Sequence, residues 1–487
     1  MEEYALRYSG RRWEIVYARY EGVQQFAVDE LQRTLQRYLP YVVAVRAAGT
    51  ERPDADVHRI LIGTAAGHAG VAECMARGHV DKPQGAGAYS IAVFKKGEAS
   101  TAVIAGADEG GVLHGAMDFC GRVLGLGVVE EKPDLQQAAL DRLAEVRYAT
   151  AAAIDNRGIW TWGYVIYDYQ RFIDNMARLR MNMLTIWNDQ PPLNAPQIIE
   201  YAHSRGVKIV LGFHWGWGLE KFDIFSKPQR DEIRRGVVEN YRRNYAHLKA
   251  DGIYFQTSTE HTTTARDGVT TAKAACMLVN ETARELLDEQ GDLYIQFGLH
   301  ATSIQDRFGD LADLDHRVTI VWEDAGALPY TYGAEVNPDA VDEPGFPRTP
   351  EGTIEYSRKL ATFRPGTEFA LVPKGWTALR WDCEFEHHGP FILGQRDETF
   401  VASRLQRRQR WWDAANSAWL RNYPLAARFY REMLACKPPK ITATALIEDG
   451  VFEARIQSSA ALLGQILWDP RRDDGEILRQ AMSPYYR

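Results

Sequence analysis

The sequence predicts an α/β protein in which a (β/α)8 TIM barrel follows a small α+β domain and precedes a short C-terminal extension. From residue 157 to residue 411, short runs rich in Val, Ile and Leu alternate with amphipathic helical segments. Such runs are typical of parallel strands buried on both faces, and the alternation covers roughly 250 residues, the usual length of an eight-stranded barrel. The runs end in Trp, His, Asp or Glu, and barrel active sites are built where the strands end.

Three parts are expected along the 487 residues. Residues 1–150 read as the α+β domain, residues 151–436 as the barrel, and residues 437–487 as the extension, with one strand pair around Gly450 and a final helix. The prolines of Lys437-Pro-Pro-Lys440 mark the second boundary. In the first domain, strands are predicted at 13–17, 58–62, 89–94 and 102–105, and helices near 22–38 and 108–124.

Seven strands and five helices are predicted within the barrel. In its first helix, Phe172, Ile173, Met176 and Leu179 recur at helical spacing, and Gly206 is a stop signal after the second helix. The strands are predicted at 158–162, 183–189, 207–214, 252–260, 293–300, 318–324 and 369–372. The helices are predicted at 169–180, 195–205, 227–249, 271–289 and 398–410.

The overall charge disfavours a nucleic acid or an anionic membrane as the main partner. The chain has 57 Lys and Arg against 65 Asp and Glu, a net charge of −8, whereas proteins that bind polyanions usually carry a basic surface. A carbohydrate or another small ligand fits better. The five cysteines are far apart, without any C-x-x-C spacing, so neither a disulfide framework nor a zinc ribbon is indicated. Whether the chain forms a homo-oligomer stays open.

The start of the chain predicts a cytoplasmic protein. The segment Met1-Glu-Glu-Tyr-Ala-Leu-Arg7 has neither the basic head nor the apolar core of a secretory signal. No later segment has the long uninterrupted apolar run of a membrane-spanning helix. A secreted protein is the alternative if a signal was removed ahead of this start.

Glu260 is the candidate general acid. It closes the fourth predicted strand, between Thr257-Ser-Thr259 and His261, whose hydroxyl and imidazole groups can hydrogen-bond its carboxylate. For any single Glu, an acidic loop residue without a catalytic role is the simpler interpretation. The position at the end of a buried run, with similar carboxylates two strands later, favours the catalytic one.

Glu323 and Asp324 are the candidates for the second carboxylate, as base or nucleophile. They follow the sixth predicted strand, and because adjacent side chains on a strand point in opposite directions, we expect only one of them to face the site. Carboxylates about 5 Å apart fit a nucleophile and a longer separation fits a base, so the stereochemical outcome stays open. Glu384 and Glu386 are weaker candidates for the same role. The alternative without catalysis is that Glu323 and Asp324 cap a helix or form salt bridges.

The predicted substrate-binding residues share a position at or just beyond the strand ends. Indole rings stack on the apolar faces of sugars, and polar side chains hydrogen-bond their hydroxyls. Any one of the 13 tryptophans is more often part of the core, and Arg157 fits a salt bridge at the barrel bottom equally well. Trp162 and Trp217 lie near strand ends too. The predicted set is Arg157, Trp160, Trp187, Asp189, His214, Trp215, His261, His300, Trp322 and Trp376.

The histidines near the strand ends also raise a metal-dependent barrel hydrolase as an alternative. His214, His261 and His300 follow three different predicted strands, and barrels can gather imidazoles and carboxylates around zinc. The first strand has no H-x-H, and the chain has no H-E-x-x-H motif. A hydrogen bond to a sugar hydroxyl explains each histidine equally well. We therefore expect no metal and no other cofactor.

Two segments resemble known carbohydrate-active enzymes. Arg157-Gly-Ile-Trp160, followed by residues 169–189, is similar to the opening of the catalytic barrel in β-N-acetylhexosaminidases and their relatives. Residues 106–118 resemble the end of the α+β domain that precedes the barrel in hexosaminidases and in xylan α-glucuronidases. The resemblance covers roughly residues 1–330 as short patterns. It implies a glycoside hydrolase with an N-terminal α+β domain and a (β/α)8 catalytic barrel.

The two resemblances differ at the fourth strand. Hexosaminidases that use the acetamido group of the substrate carry Asp directly before the acid Glu, and this chain has Thr259 there. The α-glucuronidase pattern, a Ser-Glu-like acid with further carboxylates on strands six and seven, is similar to Ser258-Thr-Glu260 with the Glu323-Asp324 pair and Glu384. The resemblance therefore implies an inverting enzyme that uses water.

These observations together predict an exo-acting glycoside hydrolase that cleaves a terminal sugar by carboxylate acid/base catalysis. Glu260 is the acid, and Glu323 or Asp324 is the base or nucleophile. Uronic-acid and N-acetylhexosamine glycosides are the substrates that the resemblance suggests. A non-catalytic carbohydrate-binding barrel is the competing interpretation.

Overall fold

The computed structural model confirms the predicted fold class, with a closed barrel of eight parallel strands behind a six-stranded mixed sheet. Within the described ranges, no helix combines the length and the apolar character needed to cross a lipid bilayer. The structure describes residues 11–50, 57–128, 140, 143–162, 165–188, 190–216, 222–257, 265–305, 307–323, 339–343, 345, 347–376, 390–447 and 451–486.

The N-terminal domain is built on the six-stranded sheet. Helices Gly22–Leu35 and Glu109–Asp118 pack on one face of the sheet, and helix Ala69–Ala76 packs on the other. The first four strands in spatial order are parallel to one another. The fifth is antiparallel to the fourth, and the sixth is antiparallel to the fifth. In spatial order the strands are Ala44–Ala47, Arg12–Tyr17, Val57–Thr64, Ala99–Gly106, Tyr89–Lys96 and Val146–Thr150.

The barrel strands follow each other around the ring in chain order, and every neighbouring pair is parallel. They are numbered here from the first to the eighth along the chain. They are Asn156–Trp162, Met183–Trp187, Lys208–Gly212, Gly252–Phe255, Tyr294–Leu299, Val318–Trp322, Phe369–Leu371 and Ile441–Leu446.

The eighth strand lies in the part of the chain that the sequence predicts as a C-terminal extension. Ile441–Leu446 pairs with Phe369–Leu371 on one side and with Asn156–Trp162 on the other, and so closes the ring. The barrel therefore continues past residue 436. Alternating Thr and Ala residues hide this strand in the sequence, because only its two end residues, Ile441 and Leu446, are large aliphatic ones.

The five helices predicted for the barrel begin where they are predicted, but one of them is far longer, and the helix Pro350–Thr362 is not among the predicted ones. Glu398–Ala435 has 38 residues, whereas the sequence predicts a helix only to residue 410, and it contains Pro424. The helix Ser458–Trp468 packs against it. The other main helices of this part are Tyr169–Arg178, Ala195–His203, Lys227–Asn244, Thr271–Glu289, Pro350–Thr362 and Asp474–Ala481.

Two separate apolar cores follow from the alternation of side chains along the strands. One core lies between the strands and the helices, and the other fills the barrel interior. At the amino end of the interior, the Glu368 carboxylate accepts hydrogen bonds from Tyr294 at 2.8 Å and from Lys440 at 3.1 Å. Thr442 also donates to it. These contacts fill the bottom of the barrel with a satisfied polar cluster.

Buried polar contacts join the N-terminal domain to the barrel. The Arg180 guanidinium lies 3.2 Å from the Asp118 carboxylate and donates to the Tyr89 hydroxyl at 2.8 Å and to Gln465 at 2.7 Å. Asp118 also accepts a hydrogen bond from Tyr148 at 2.7 Å. All of these side chains except Tyr148 are buried, so the charges depend on each other for compensation.

Replacing Asp118 by alanine is expected to destabilise the protein by about 3 kcal/mol, because the buried Arg180 loses its carboxylate. Urea unfolding followed by circular dichroism measures the change. Asp81→Ala is the control, since it removes an exposed partner of Arg147 and should leave the midpoint nearly unchanged. Equal effects of the two substitutions would contradict the structural role of the buried pair.

Candidate active site

The candidate site lies inside the barrel at the carboxyl ends of the strands. Inward-pointing side chains from all parts of the ring meet there because successive residues of a strand face opposite sides. The apolar cluster of the whole interior contains Trp160, Met183, Trp187, Val210, Tyr254, Val321, Ala370, Val372 and Leu446. Trp162 packs against it at the carboxyl end, and Tyr294 packs against it at the amino end, outside the candidate site.

Glu323 is the carboxylate that the structure places in this interior. It directly follows the sixth strand, two residues after the inward-facing Val321, and it is 5% exposed. The Tyr254 hydroxyl and the Gln256 side-chain amide both donate hydrogen bonds to its Oε1 atom. Its Oε2 atom lies 3.3 Å from Nε2 of His300. The fourth and fifth strands thus supply the polar neighbours of an acid that follows the sixth.

The Tyr254 phenol is a permanent hydrogen-bond donor in this site. Complete burial and, after it, the negative charge of Glu323 raise the pKa of Tyr254 well above its usual range. Its deprotonation would place two negative charges side by side in the interior. The phenol is therefore the donor in its hydrogen bond with Glu323.

Gly298 makes room for the contact between Tyr254 and Glu323. It belongs to the fifth strand, which lies between the strands that carry the other two residues. A Cβ atom at this position would overlap the Tyr254 ring and lie 2.5 Å from Oε1 of Glu323. Any residue larger than glycine would force the acid and the phenol apart.

An aromatic layer lies beside the acid. The Trp160 and Trp187 rings are near parallel at 21°, with centroids 6.4 Å apart, and the Tyr254 ring meets both edge-on at 5.6 Å. Trp162 stands perpendicular to both indoles. Trp160 and Trp187 are buried, whereas Trp162 is partly exposed. The predicted pair thus forms the floor of the site, and Trp162 is the indole of this layer that a ligand can reach.

Three of the predicted sugar-binding tryptophans lie on the opposite side of the strands. Trp215 stacks on Phe255 at 3.5 Å, Trp376 stacks on Trp419 of the long helix at 4.2 Å, and Trp322 packs with the helix-facing core. All three are at most 1% exposed. The structure corrects the prediction for them, because a residue next to an inward-facing one, as Trp322 is next to Glu323, must face outward.

The prediction that Arg157 binds the substrate is also corrected. Its guanidinium donates to the backbone carbonyls of Ile154 at 2.7 Å, Asp155 at 3.0 Å and Arg180 at 2.9 Å. These groups lie at the amino end of the first strand, and the side chain is buried against Trp468. The charge therefore holds together the bottom of the barrel, away from the candidate site.

The two described histidines of the predicted set lie at the carboxyl ends. His300 contacts Glu323, as given above. His214 is half-buried, two residues after the third strand, and its Nδ1 atom is a buried polar atom without a hydrogen-bond partner among the described residues. Within the same part of the chain, no group of three or more His, Cys, Asp or Glu side chains is arranged to hold a metal ion.

Several predicted residues lie outside the described residues, and their roles stay predictions. They are Asp189, Glu260, His261, Asp324, Glu384 and Glu386.

Tyr254, Gln256 and Gly298 are not singled out by the sequence reasoning. A signal for the first two exists, because Tyr254 and Gln256 are polar residues at alternate positions of an otherwise apolar strand, Gly252-Ile-Tyr-Phe-Gln256. Polar groups on the inward face of a barrel strand need partners there. The signal becomes specific only once the neighbouring strands are known.

No protein-family model matches the sequence, and no curated protein matches it. Solved structures of similar fold exist, and they include the following three. A GH138 enzyme targeting pectin rhamnogalacturonan II is 12% identical over 96% of this chain, with a TM-score of 0.51, and this chain spans 65% of its length. The structure of CpGH84B is 10% identical, covering 96% of this chain and 91% of its own, with a TM-score of 0.46. A mutant O-GlcNAc hydrolase from Thermobaculum terrenum is 12% identical, covering 68% and 63%, with a TM-score of 0.37.

At these identities, the likeness to the GH138 enzyme establishes a shared fold. The other two likenesses have TM-scores below 0.5 and add no argument. What the site does chemically must therefore be inferred from the residues of this chain.

Gly298→Ala is expected to lower the free energy of unfolding by about 1–3 kcal/mol, because the added methyl group overlaps Tyr254 and Glu323. Thermal unfolding measures the loss. The control is Gly236→Ala in the helix Lys227–Asn244, where a Cβ meets nothing within 4 Å, so stability should hold or rise slightly. A Gly298→Ala protein as stable as the wild type would refute the close contact.

Proposed function

We propose that the protein is a glycoside hydrolase in which Glu323 is one of two catalytic carboxylates. The observation that carries the proposal is a buried carboxylate, oriented by Tyr254 and Gln256 at the carboxyl end of a barrel strand, beside a layer of indole rings. Glycoside hydrolysis needs an acid, a second carboxylate and a surface for the sugar. In this proposal Glu323 is the second carboxylate and the indole layer is the surface for the sugar.

The partly exposed Trp162 supports a carbohydrate as the ligand. Its ring stands edge-on to Trp160 and Trp187 and is held by both, so it offers a fixed apolar surface at the same end of the barrel as Glu323. Sugars present apolar faces to such rings and hydroxyl groups to polar neighbours. His214 and His300 supply polar neighbours at the same end of the barrel.

The fold is further support. The GH138 enzyme of similar fold is named for its action on pectin rhamnogalacturonan II. Unrelated functions occur on the same barrel, so this likeness adds to the argument from the site and does not replace it.

Glu260 completes the proposal as the general acid. It follows the fourth strand, which also carries Tyr254 and Gln256, and the fourth and sixth strands are separated by one strand in the ring. Carboxylates on these two strands can approach from two sides of one sugar. Asp324 stays the alternative for the second carboxylate, but it is adjacent to an inward-facing residue and alternation directs it away.

We further propose exo-action on a terminal sugar, with uronic-acid or N-acetylhexosamine glycosides as the first substrates to test. A panel of nitrophenyl glycosides that includes hexosaminides and glucuronides tests this point. Turnover of a single member identifies the sugar and its anomeric configuration. Uniform silence of the folded protein would count against hydrolysis of simple exo-linked sugars.

Glu323→Gln is expected to lower kcat by about 10²- to 10⁴-fold on the substrate that the panel identifies, because the neutral amide cannot act as base or nucleophile. The control is Glu368→Gln, which neutralises a carboxylate at the opposite end of the same barrel. Its kcat should stay near the wild-type value in folded protein. If the Glu323→Gln protein is fully active, Glu323 is not the catalytic carboxylate and another acidic residue must have this role.

Glu260→Gln separates an enzyme from a non-catalytic carbohydrate-binding barrel. In an enzyme, turnover should fall by about 10²- to 10⁴-fold while sugar binding, measured by calorimetry with the product, is retained. If the wild-type protein binds sugars and hydrolyses none, the binding barrel is the correct interpretation. In that case the substitution changes neither measurement.

A further inference from the structure

The two oxygens of the Glu323 carboxylate have unequal surroundings. Oε1 accepts hydrogen bonds from two neutral donors of the fourth strand, the Tyr254 hydroxyl and the Gln256 amide. Oε2 faces the His300 imidazole at 3.3 Å. One oxygen is therefore engaged by two donors from the fourth strand, and the other lies beside His300, which follows the fifth strand.

From this asymmetry we infer that Tyr254 and Gln256 are positioning residues that commit Glu323 to the role of base or nucleophile, with Oε2 as the reacting oxygen. The inference rests on the proposed function and adds the assignment of roles to it. A base or nucleophile needs its carboxylate held at a fixed position, and the two donors on Oε1 hold it in this way and leave Oε2 as the oxygen that can react. The acid must then come from another residue, for which Glu260 is the candidate.

Gly298 belongs to the same device. The fourth and sixth strands are not neighbours, so the Tyr254 hydroxyl reaches Glu323 across the fifth strand. It can do so because the fifth strand presents no side chain at Gly298, where a Cβ would meet both groups. A reacting oxygen that is misplaced by about 1 Å can cost 10²-fold in rate. The contact therefore matters for the rate as well as for stability.

The barrel provides a matched control for Tyr254. Tyr294 also lies in the interior and donates a hydrogen bond to a carboxylate, but that carboxylate is Glu368 at the amino end, and the distance is 2.8 Å. Tyr254→Phe and Tyr294→Phe thus remove the same group from the same kind of contact at opposite ends of one barrel. Only the first change should alter the position of a reacting atom.

The first test compares kcat and KM of the two variants with a glycoside that the wild-type protein hydrolyses. Tyr254→Phe should lower kcat by about 10- to 100-fold with KM changed less than about threefold, because the substrate still binds while the carboxylate is misplaced. Tyr294→Phe should leave both constants near their wild-type values. Melting temperatures of both variants confirm that the measurements refer to folded protein. Equal kcat values for the Tyr254→Phe and wild-type proteins would overturn the positioning role.

The second test uses the leaving group to decide the role of Glu323. A general acid is needed less when the leaving group is a good one, whereas a base or nucleophile is needed for every substrate. Glu323→Gln should therefore lose activity equally on a dinitrophenyl glycoside and on an alkyl glycoside of the same sugar. Retained activity on the dinitrophenyl substrate alone would make Glu323 the acid and overturn the inference, while leaving the glycosidase proposal intact. A wild-type protein that hydrolyses no glycoside would remove both.

Discussion

Closure of the barrel is the constraint on which the rest of the structure depends. The last barrel strand along the chain, Ile441–Leu446, pairs with the first, Asn156–Trp162, although more than half of the sequence lies between them. Closure fixes which face of every strand is inside, because a ring has no free edge at which a strand can slip. Once that is fixed, Glu323 must point inward and Trp322 outward, and the fourth, fifth and sixth strands bring Tyr254, Gly298 and Glu323 together.

The two ends of the barrel interior use similar contacts for different purposes. At the amino end, Glu368 is surrounded by Tyr294, Thr442 and Lys440, so its charge has a cation and several donors. At the carboxyl end, Glu323 has two neutral donors on one oxygen and an imidazole beside the other. The first arrangement fills the amino end of the interior, whereas the second lies at the end of the barrel where barrel enzymes carry out their chemistry.

The N-terminal domain and the residues after the barrel reinforce the layer outside the strands. Glu30 of the first helix accepts hydrogen bonds from Arg178 of the barrel at 2.9 Å and from Tyr485 near the C-terminus at 2.8 Å. Ser483 donates to the backbone of Gly121 at 2.6 Å. Three distant parts of the chain thus meet at buried polar contacts. Because each contact leaves a buried charge or donor unsatisfied when it is broken, the parts are expected to unfold together.

The sequence by itself determined the architecture and the ends of the strands at which the site lies, because runs of Val, Ile and Leu mark seven of the eight strands without reference to their partners. Alternation also predicts that only one of Glu323 and Asp324 faces inward, and the structure describes Glu323 as the neighbour of Tyr254 and Gln256. Only the tertiary structure decided which tryptophans line the interior. The register of the strands around the closed ring determines that Trp160 points inward and Trp322 points outward. The tertiary structure also decided the hydrogen-bond partners of Glu323. These bonds join strands four and six, and the absence of a side chain at Gly298 makes them possible, so the residues near Glu323 in the sequence do not predict them. The segment Ile441–Leu446, with its alternating Thr and Ala, is also a strand because of its tertiary context. The strands on both sides pair with it, although its own composition does not predict a strand.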